Sequence, residues 1–268
     1  MVSAVCQHGA VPEMLEIETY RRTADHVVGD RITRVGAPDA WYLKGGTTAD
    51  ELGVLVGATV TGTRRIGKLL LLDSDTVTLG LRFGMTGRLV LAGAAPIERL
   101  EYSSHRTDPA WIRFTLAFER SGDLEIVDPR RLGGVELEPD TSHLGPDALA
   151  LGPAALRDRL GASRAPVKAF LLDQSRVAGI GNLLADEMLW RAGLDPARPA
   201  ASLTPAEARR LHRHMRATIE ELGARGGSHT GDLHVARARG ATCPRDGAPL
   251  DRRTIGGRTT YSCPRHQR

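Results

Sequence analysis

The sequence predicts a multi-domain α+β protein: an N-terminal helix plus a β-sandwich, then a helical domain, then a small cysteine-bearing hairpin. Three observations predict it. Apolar residues at helical spacing follow Pro12, six short runs rich in apolar and branched residues fill the stretch 59–137, and past Pro139 helix-length segments alternate with glycine turns. With 268 residues the chain is long enough for two domains, each with a real core.

Taken in order, Pro12 stands at a helix start, where its missing N–H costs nothing and the acidic run Glu13, Glu16 and Glu18 suits the positive helix end. Ile17, Tyr20, Ala24 and Val27 give the helical stripe from Met14 to about residue 28, and Gly29 stops it. Strands are expected at 59–63, 69–72, 76–83, 111–118, 124–127 and 134–137, punctuated by Gly, Asp and Pro. Helices are expected at 154–160, 167–173 and 181–192. A last helix is announced by the capping box Thr204-Pro205-Ala206-Glu207, striped by Leu211, Met215, Ile219 and Leu222 and ended by Gly226-Gly227. The expected division is a leader at 1–11, a sandwich domain at 12–137, a helical domain at 138–235 and a hairpin at 236–268.

A net charge of +4 and a pI near 9.2 mildly favour a polyanionic partner. Only Lys44, Lys68 and Lys168 are lysine among 36 basic residues, so a lysine here is kept against a strong arginine bias. No apolar run approaches membrane-spanning length, and no membrane association is expected. Three cysteines argue against a disulfide framework and for a reducing, cytoplasmic home; Cys6 is left over in the leader.

Four constellations carry chemistry. Arg64-Arg65-Ile66-Gly67-Lys68 is a basic turn entering a strand. Phe83-Gly84-Met85-Thr86-Gly87 and Asp128-Pro129-Arg130-Arg131-Leu132-Gly133 are glycine-punctuated turns at strand ends. Gly179-Ile180-Gly181-Asn182 opens a helix, where free amides can bind an anion. The tail holds Cys243-Pro-Arg-Asp246 and Cys263-Pro-Arg-His266, two knuckles whose four side chains can each ligate zinc. One structural zinc on Cys243, Asp246, Cys263 and His266 is expected, with Asp246 the least usual ligand for such a site.

The run Pro12-Glu13-x-x-Glu16-x-Glu18-Thr19-x-Arg21-Arg22, followed by these four blocks, resembles the formamidopyrimidine-DNA glycosylase family and its endonuclease VIII relatives across nearly the whole chain. The resemblance implies a β-sandwich with an N-terminal helix, a helix-two-turns-helix domain and a zinc-finger hairpin. It implies a bifunctional DNA glycosylase and abasic-site lyase of base excision repair, acting as a monomer on damaged duplex DNA. In that family the proline amine is the nucleophile that forms a Schiff base, and the adjacent glutamate is its acid/base partner. This assigns Pro12 and Glu13 those roles and gives Lys68 a place beside the DNA phosphates. Met85, Arg130 and Leu132 would fill the hole left by a flipped nucleotide, Leu132 standing where many relatives carry an aromatic wedge. Lys168, Asn182 and Arg258 would contact the DNA backbone. The segment between Gly227 and Cys243 is shorter than in many relatives, which counts against a preference for 8-oxoguanine. An acylated proline nitrogen has no nucleophilic lone pair, so the chemistry requires a start at Val11 with removal of the initiator methionine. With residues 1–11 retained, the alternative is a non-catalytic, zinc-bearing binder of damaged DNA.

Overall fold

A computed structural model describes residues 12–98, 100 and 108–268; the expected leader, with Cys6, lies outside the described residues. The chain forms two compact units, Met1–Thr141 and Ser142–Arg268.

The first unit opens with helix α1 (Met14–Ala24), capped where the Glu13 N–H donates to Glu16 Oε2 at 3.0 Å. Two antiparallel four-stranded sheets follow. One runs β1 (Ile32–Gly36), β6 (Ile112–Phe118), β7 (Asp123–Val127) and β5 (Arg88–Leu91) in spatial order; the other runs β2 (Val60–Ile66), β3 (Leu69–Ser74), β4 (Thr78–Arg82) and β8 (Gly134–Leu137). Alternating strand residues face inward, so Leu70, Leu72, Leu79, Leu81 and Val135 of the second sheet meet Leu89, Phe114, Leu116, Leu124 and Ile126 of the first in one core. Ile17, Tyr20 and Ala24 bring α1 into the same cluster. Strands β1 and β5 were not among the expected strands. β1 buries only Ile32 and β5 only Leu89, so neither leaves an apolar run to read.

The second unit holds α2 (Pro153–Gly161), α3 (Val167–Leu172), α4 (Asn182–Ala192) and α5 (Pro205–Arg225), ending in the hairpin β9 (Asp251–Ile255) and β10 (Arg258–Ser262). The capping box is present at α5: Thr204 N donates to Glu207 Oε2 at 2.8 Å and Glu207 N to Thr204 Oγ1 at 3.3 Å. The Arg198 guanidinium, with these caps, holds the Glu207 carboxyl down to about 2. A depressed carboxylate stabilises the fold above its ordinary value of about 4.5 and loses that contribution as pH falls toward 2. Glu207→Ala is expected to lower stability by about 1–2 kcal/mol at pH 7 and to have a smaller effect near pH 2, measured by urea unfolding at both values.

Candidate active site and nucleic-acid contacts

In the first unit the strand register decides which residues meet. Leu69 of β3 pairs with Arg82 of β4, and Arg82 pairs with Gly134 of β8. One end of the sheet therefore gathers three connections: the Gly67-Lys68 turn before β3, the 83–87 loop after β4 and the 128–133 loop before β8. α1 points its N-terminus to that same end. Arg21 Nη1 donates to Thr63 Oγ1 at 3.2 Å, while one turn earlier Glu18 meets Arg65 at 3.4 Å, so the helix advances toward the Gly67-Lys68 turn as it runs back to Pro12. Pro12 and Glu13 are buried there.

The two loops are clasped by one carboxylate. Asp128, fully buried, accepts from Thr86 Oγ1 at 2.5 Å and the Arg130 N–H at 3.2 Å on one oxygen, and from Gly133 N–H at 2.9 Å and the Tyr42 hydroxyl at 3.3 Å on the other. Burial, then the Asp128 charge, pushes the Tyr42 phenol far up, so it stays a neutral donor. Gly84, at φ +57°, lies so close to Leu132 that a Cβ there would sit 2.6 Å from the Leu132 carbonyl carbon. The outcome is a surface with Met85 (36% exposed), Leu132 (47% exposed) and exposed Arg130 side by side on adjoining loops. Two apolar side chains held in water beside a cation are suited to entering a base stack. Next to them, Arg131 is spent on Asp39 through two contacts of 2.6 Å, which hold the Asp39 carboxyl below its ordinary range.

In the second unit Gln174 fastens the turn before α4. Its amide donates to the Leu172 and Ile180 carbonyls at 2.9 and 3.0 Å, and its oxygen accepts from Gly179 N–H at 2.9 Å. Asn182 begins α4 and donates through Nδ2 to the Thr259 carbonyl at 3.2 Å. Arg258 is exposed at the start of β10, just past the Gly256-Gly257 turn, whose positive φ values of 59° and 71° suit a tight hairpin. Lys168 is turned inward: fully buried, its ammonium lies 2.6 Å from Asp186 and donates to Thr260 Oγ1 at 2.7 Å. Glu187 is a buttress, accepting from the Asp232 and Leu233 amides and from Arg191.

Cys243, Asp246, Cys263 and His266 converge, with ligand atoms all within 4.8 Å of one another. The two knuckles are alike: Gly247 N–H donates to the Cys243 carbonyl at 2.8 Å and Gln267 N–H to the Cys263 carbonyl at 3.1 Å. Cys263 Sγ lies 3.3 Å from Asp246 Oδ2, and Cys243 Sγ lies 3.8 Å from His266 Nδ1. A tetrahedral ion with bonds of 2.0–2.3 Å sets its ligands about 3.3–3.8 Å apart; these two contacts match that spacing, and the donor chemistry suits zinc. His266 Nε2 lies 3.3 Å from the Trp190 carbonyl, so Nδ1 faces the cluster, 2.9 Å from Asp246 Oδ2, and the Trp190 indole N–H points at Cys243 Sγ at 3.3 Å. The Ala248 amide and then His266 hold the Asp246 carboxyl far below its ordinary range, whereas burial pushes the Cys263 thiol up.

Residues 11–135 match the formamidopyrimidine-DNA glycosylase N-terminal domain and residues 144–232 match the formamidopyrimidine-DNA glycosylase H2TH domain. The formamidopyrimidine-DNA glycosylase of Geobacillus kaustophilus is 36% identical over 286 residues, spanning 96% of this chain and 100% of that protein. The chain belongs to the formamidopyrimidine-DNA glycosylase family. Among solved family structures, the MutM (Fpg) protein of Thermus thermophilus is 32% identical with a TM-score of 0.79, over 96% of this chain and 98% of that one. Lactococcus lactis Fpg in complex with abasic-site DNA is 26% identical with a TM-score of 0.80, over 96% and 99%. The fold class expected from the sequence is that of the family. Asp128 fastens its loops through hydrogen bonds to the distant Tyr42 and Thr86, and Gln174 fastens its turn through its side-chain amide; spacing alone signals neither, although both lie in or beside the glycine-punctuated motifs. No described helix is long and apolar enough to cross a membrane.

Proposed function

We propose that the protein is a DNA glycosylase and abasic-site lyase that removes oxidised bases from duplex DNA in the cytoplasm, acting as a monomer. The single observation that carries this reading is the meeting of Pro12, the Lys68 turn and the Met85 and Leu132 loops at one end of one sheet, in a chain of this family. The match to the N-terminal family domain begins at residue 11, which supports Pro12 as the first residue of the working enzyme.

In this reading the unprotonated Pro12 amine attacks C1′ of the flipped nucleotide. The glycosidic bond breaks and the base leaves with a proton. The proline nitrogen then gives up its proton to Glu13 and donates the freed pair to C1′, giving an iminium as the C1′–O4′ bond of the deoxyribose breaks and O4′ takes a proton. Loss of a C2′ proton then expels the 3′ phosphate and cuts the strand. Glu13 relays these protons, and Lys68 stabilises the phosphates beside the sugar. A terminal amine titrates near ~8, so a reactive fraction exists at neutral pH. Met85 and Leu132 occupy the vacated stack and Arg130 holds the widowed base.

Asn182 and Arg258 grip backbone phosphates. Arg258→Ala is expected to reduce the slope of log affinity against log salt by about one, whereas Asn182→Ala, which removes no charge, is expected to weaken binding with the slope unchanged, both measured by fluorescence anisotropy on an abasic-analogue duplex. Zinc on Cys243, Asp246, Cys263 and His266 would supply rigidity to the hairpin that carries Arg258. Elemental analysis is expected to find one zinc per chain, and chelation to lower the melting temperature; a folded, metal-free preparation with unchanged melting would contradict this.

The test of the activity is incubation of the natively expressed protein with a duplex bearing a formamidopyrimidine. Base release with strand cleavage supports the enzyme. Tight, salt-sensitive binding without either supports a damage binder in which residues 1–11 block Pro12.

A further inference from the structure

We propose that Lys168 is a positioning residue which, through Asp186, fixes the spacing between the Asn182 and Arg258 phosphate grips; this deepens the reading above and rests on it. The three lysines of the chain are Lys44, Lys68 and Lys168, and only the last is fully buried. Burying an ammonium is costly unless its partners are close and oriented, and here they belong to the elements that carry the grips.

Lys168 stands in the first turn of α3, and its ammonium reaches three acceptors. Asp186 on α4 lies at 2.6 Å, the Thr260 hydroxyl at 2.7 Å and the Thr259 carbonyl at 3.2 Å, the last two on β10. The Thr259 carbonyl also accepts the Asn182 amide at 3.2 Å, so one oxygen joins the residue that opens α4 to the residue next to Arg258. Asp186 completes the lock from the other side: it accepts the Tyr261 N–H at 3.3 Å and pairs with Arg237, whose guanidinium lies 5.2 Å over the Tyr261 ring. Gly256 of the hairpin turn rests on α3, where an added Cβ would sit 3.1 Å from Ala169 Cβ. α3, α4, β10 and the 237 segment thus share one buried network of charges. Phosphates along a strand have fixed spacing, and two grips on separate elements act together only if the protein fixes theirs.

Lysine acylation followed by peptide mass mapping tests the placement. In DNA-free protein Lys44 is expected to label and Lys168 to stay unmodified, with no change on adding an abasic-analogue duplex. Labelling of Lys168 at the rate of Lys44, with protection by DNA, would overturn the proposal and make it a direct phosphate contact. A double-mutant cycle then separates positioning from simple stability. Lys168→Met together with Asp186→Asn removes both charges of the pair and leaves an amide oxygen to accept from the Tyr261 N–H and the Arg237 guanidinium, with thermal melting showing that the variant is folded. On the tetrahydrofuran abasic duplex it is expected to weaken binding about tenfold with Arg258 present, and less than about twofold in an Arg258→Ala background. Equal losses in both backgrounds, or no loss in either, would overturn it. The labelling result needs no enzyme activity, so it stands or falls apart from the proposed reaction.

Discussion

A single residue placed ahead of a free Pro12 is expected to abolish the proposed covalent chemistry. Acylation converts the secondary amine to an amide and removes the lone pair, so single-turnover strand cleavage is expected to fall on the order of 10³-fold or more. Binding should change far less. α1 is set by Tyr20, whose hydroxyl reaches the Gly87 carbonyl at 3.3 Å and whose ring lies 4.6 Å from Phe83, well inside the helix and away from the added residue. The contrast between lost cleavage and retained affinity for an abasic-analogue duplex is the signature of a nucleophile. Retained cleavage would assign the attack to a lysine amine instead.

The second large effect falls on a residue that touches neither base nor sugar in this account. Asp128→Ala strands the Gly133 N–H, the Thr86 and Tyr42 hydroxyls and the Arg130 N–H, all of which donate to it. Leaving buried donors of this kind unpaired costs about 3–5 kcal/mol in total, a fall of about 10 °C or more in melting temperature for a unit of this size. The loops bearing Met85, Arg130 and Leu132 lose their common anchor. Fluorescence of 2-aminopurine beside the lesion, which reports unstacking, should therefore drop even at temperatures where the variant is folded. Asp128→Asn keeps the shape and one acceptor oxygen, and should lie between the two. Calorimetry with the fluorescence signal checks both, and an alanine variant with wild-type melting and unstacking would show that the loops are held by other contacts.

Most of the architecture was legible because it is written in local period. The Met14–Ala24 helix, the Leu69–Ser74 strand and the Thr204 cap follow from spacing and turn chemistry alone. The four metal-competent side chains were legible from two knuckles of equal length. What escaped was tertiary. The resemblance gives Lys168 a contact with the DNA backbone, whereas its ammonium lies buried against Asp186, a counter-charge on another helix that no spacing rule joins to it. Asp128 reads as a turn residue because its partners Tyr42 and Thr86 come from distant segments. The β1 and β5 strands each bury one fully enclosed apolar side chain, too little for a periodic signal.

The central claim is that Pro12 carries the reaction, and borohydride trapping on a duplex with an abasic site tests it most directly. Reduction of the iminium links the sugar to the attacking nitrogen, and peptide mapping of the natively expressed protein locates the link. The account predicts a cross-link at Pro12 as the first residue of the chain. A cross-link at Lys68 or Lys44, or binding with no cross-link at all, would contradict it.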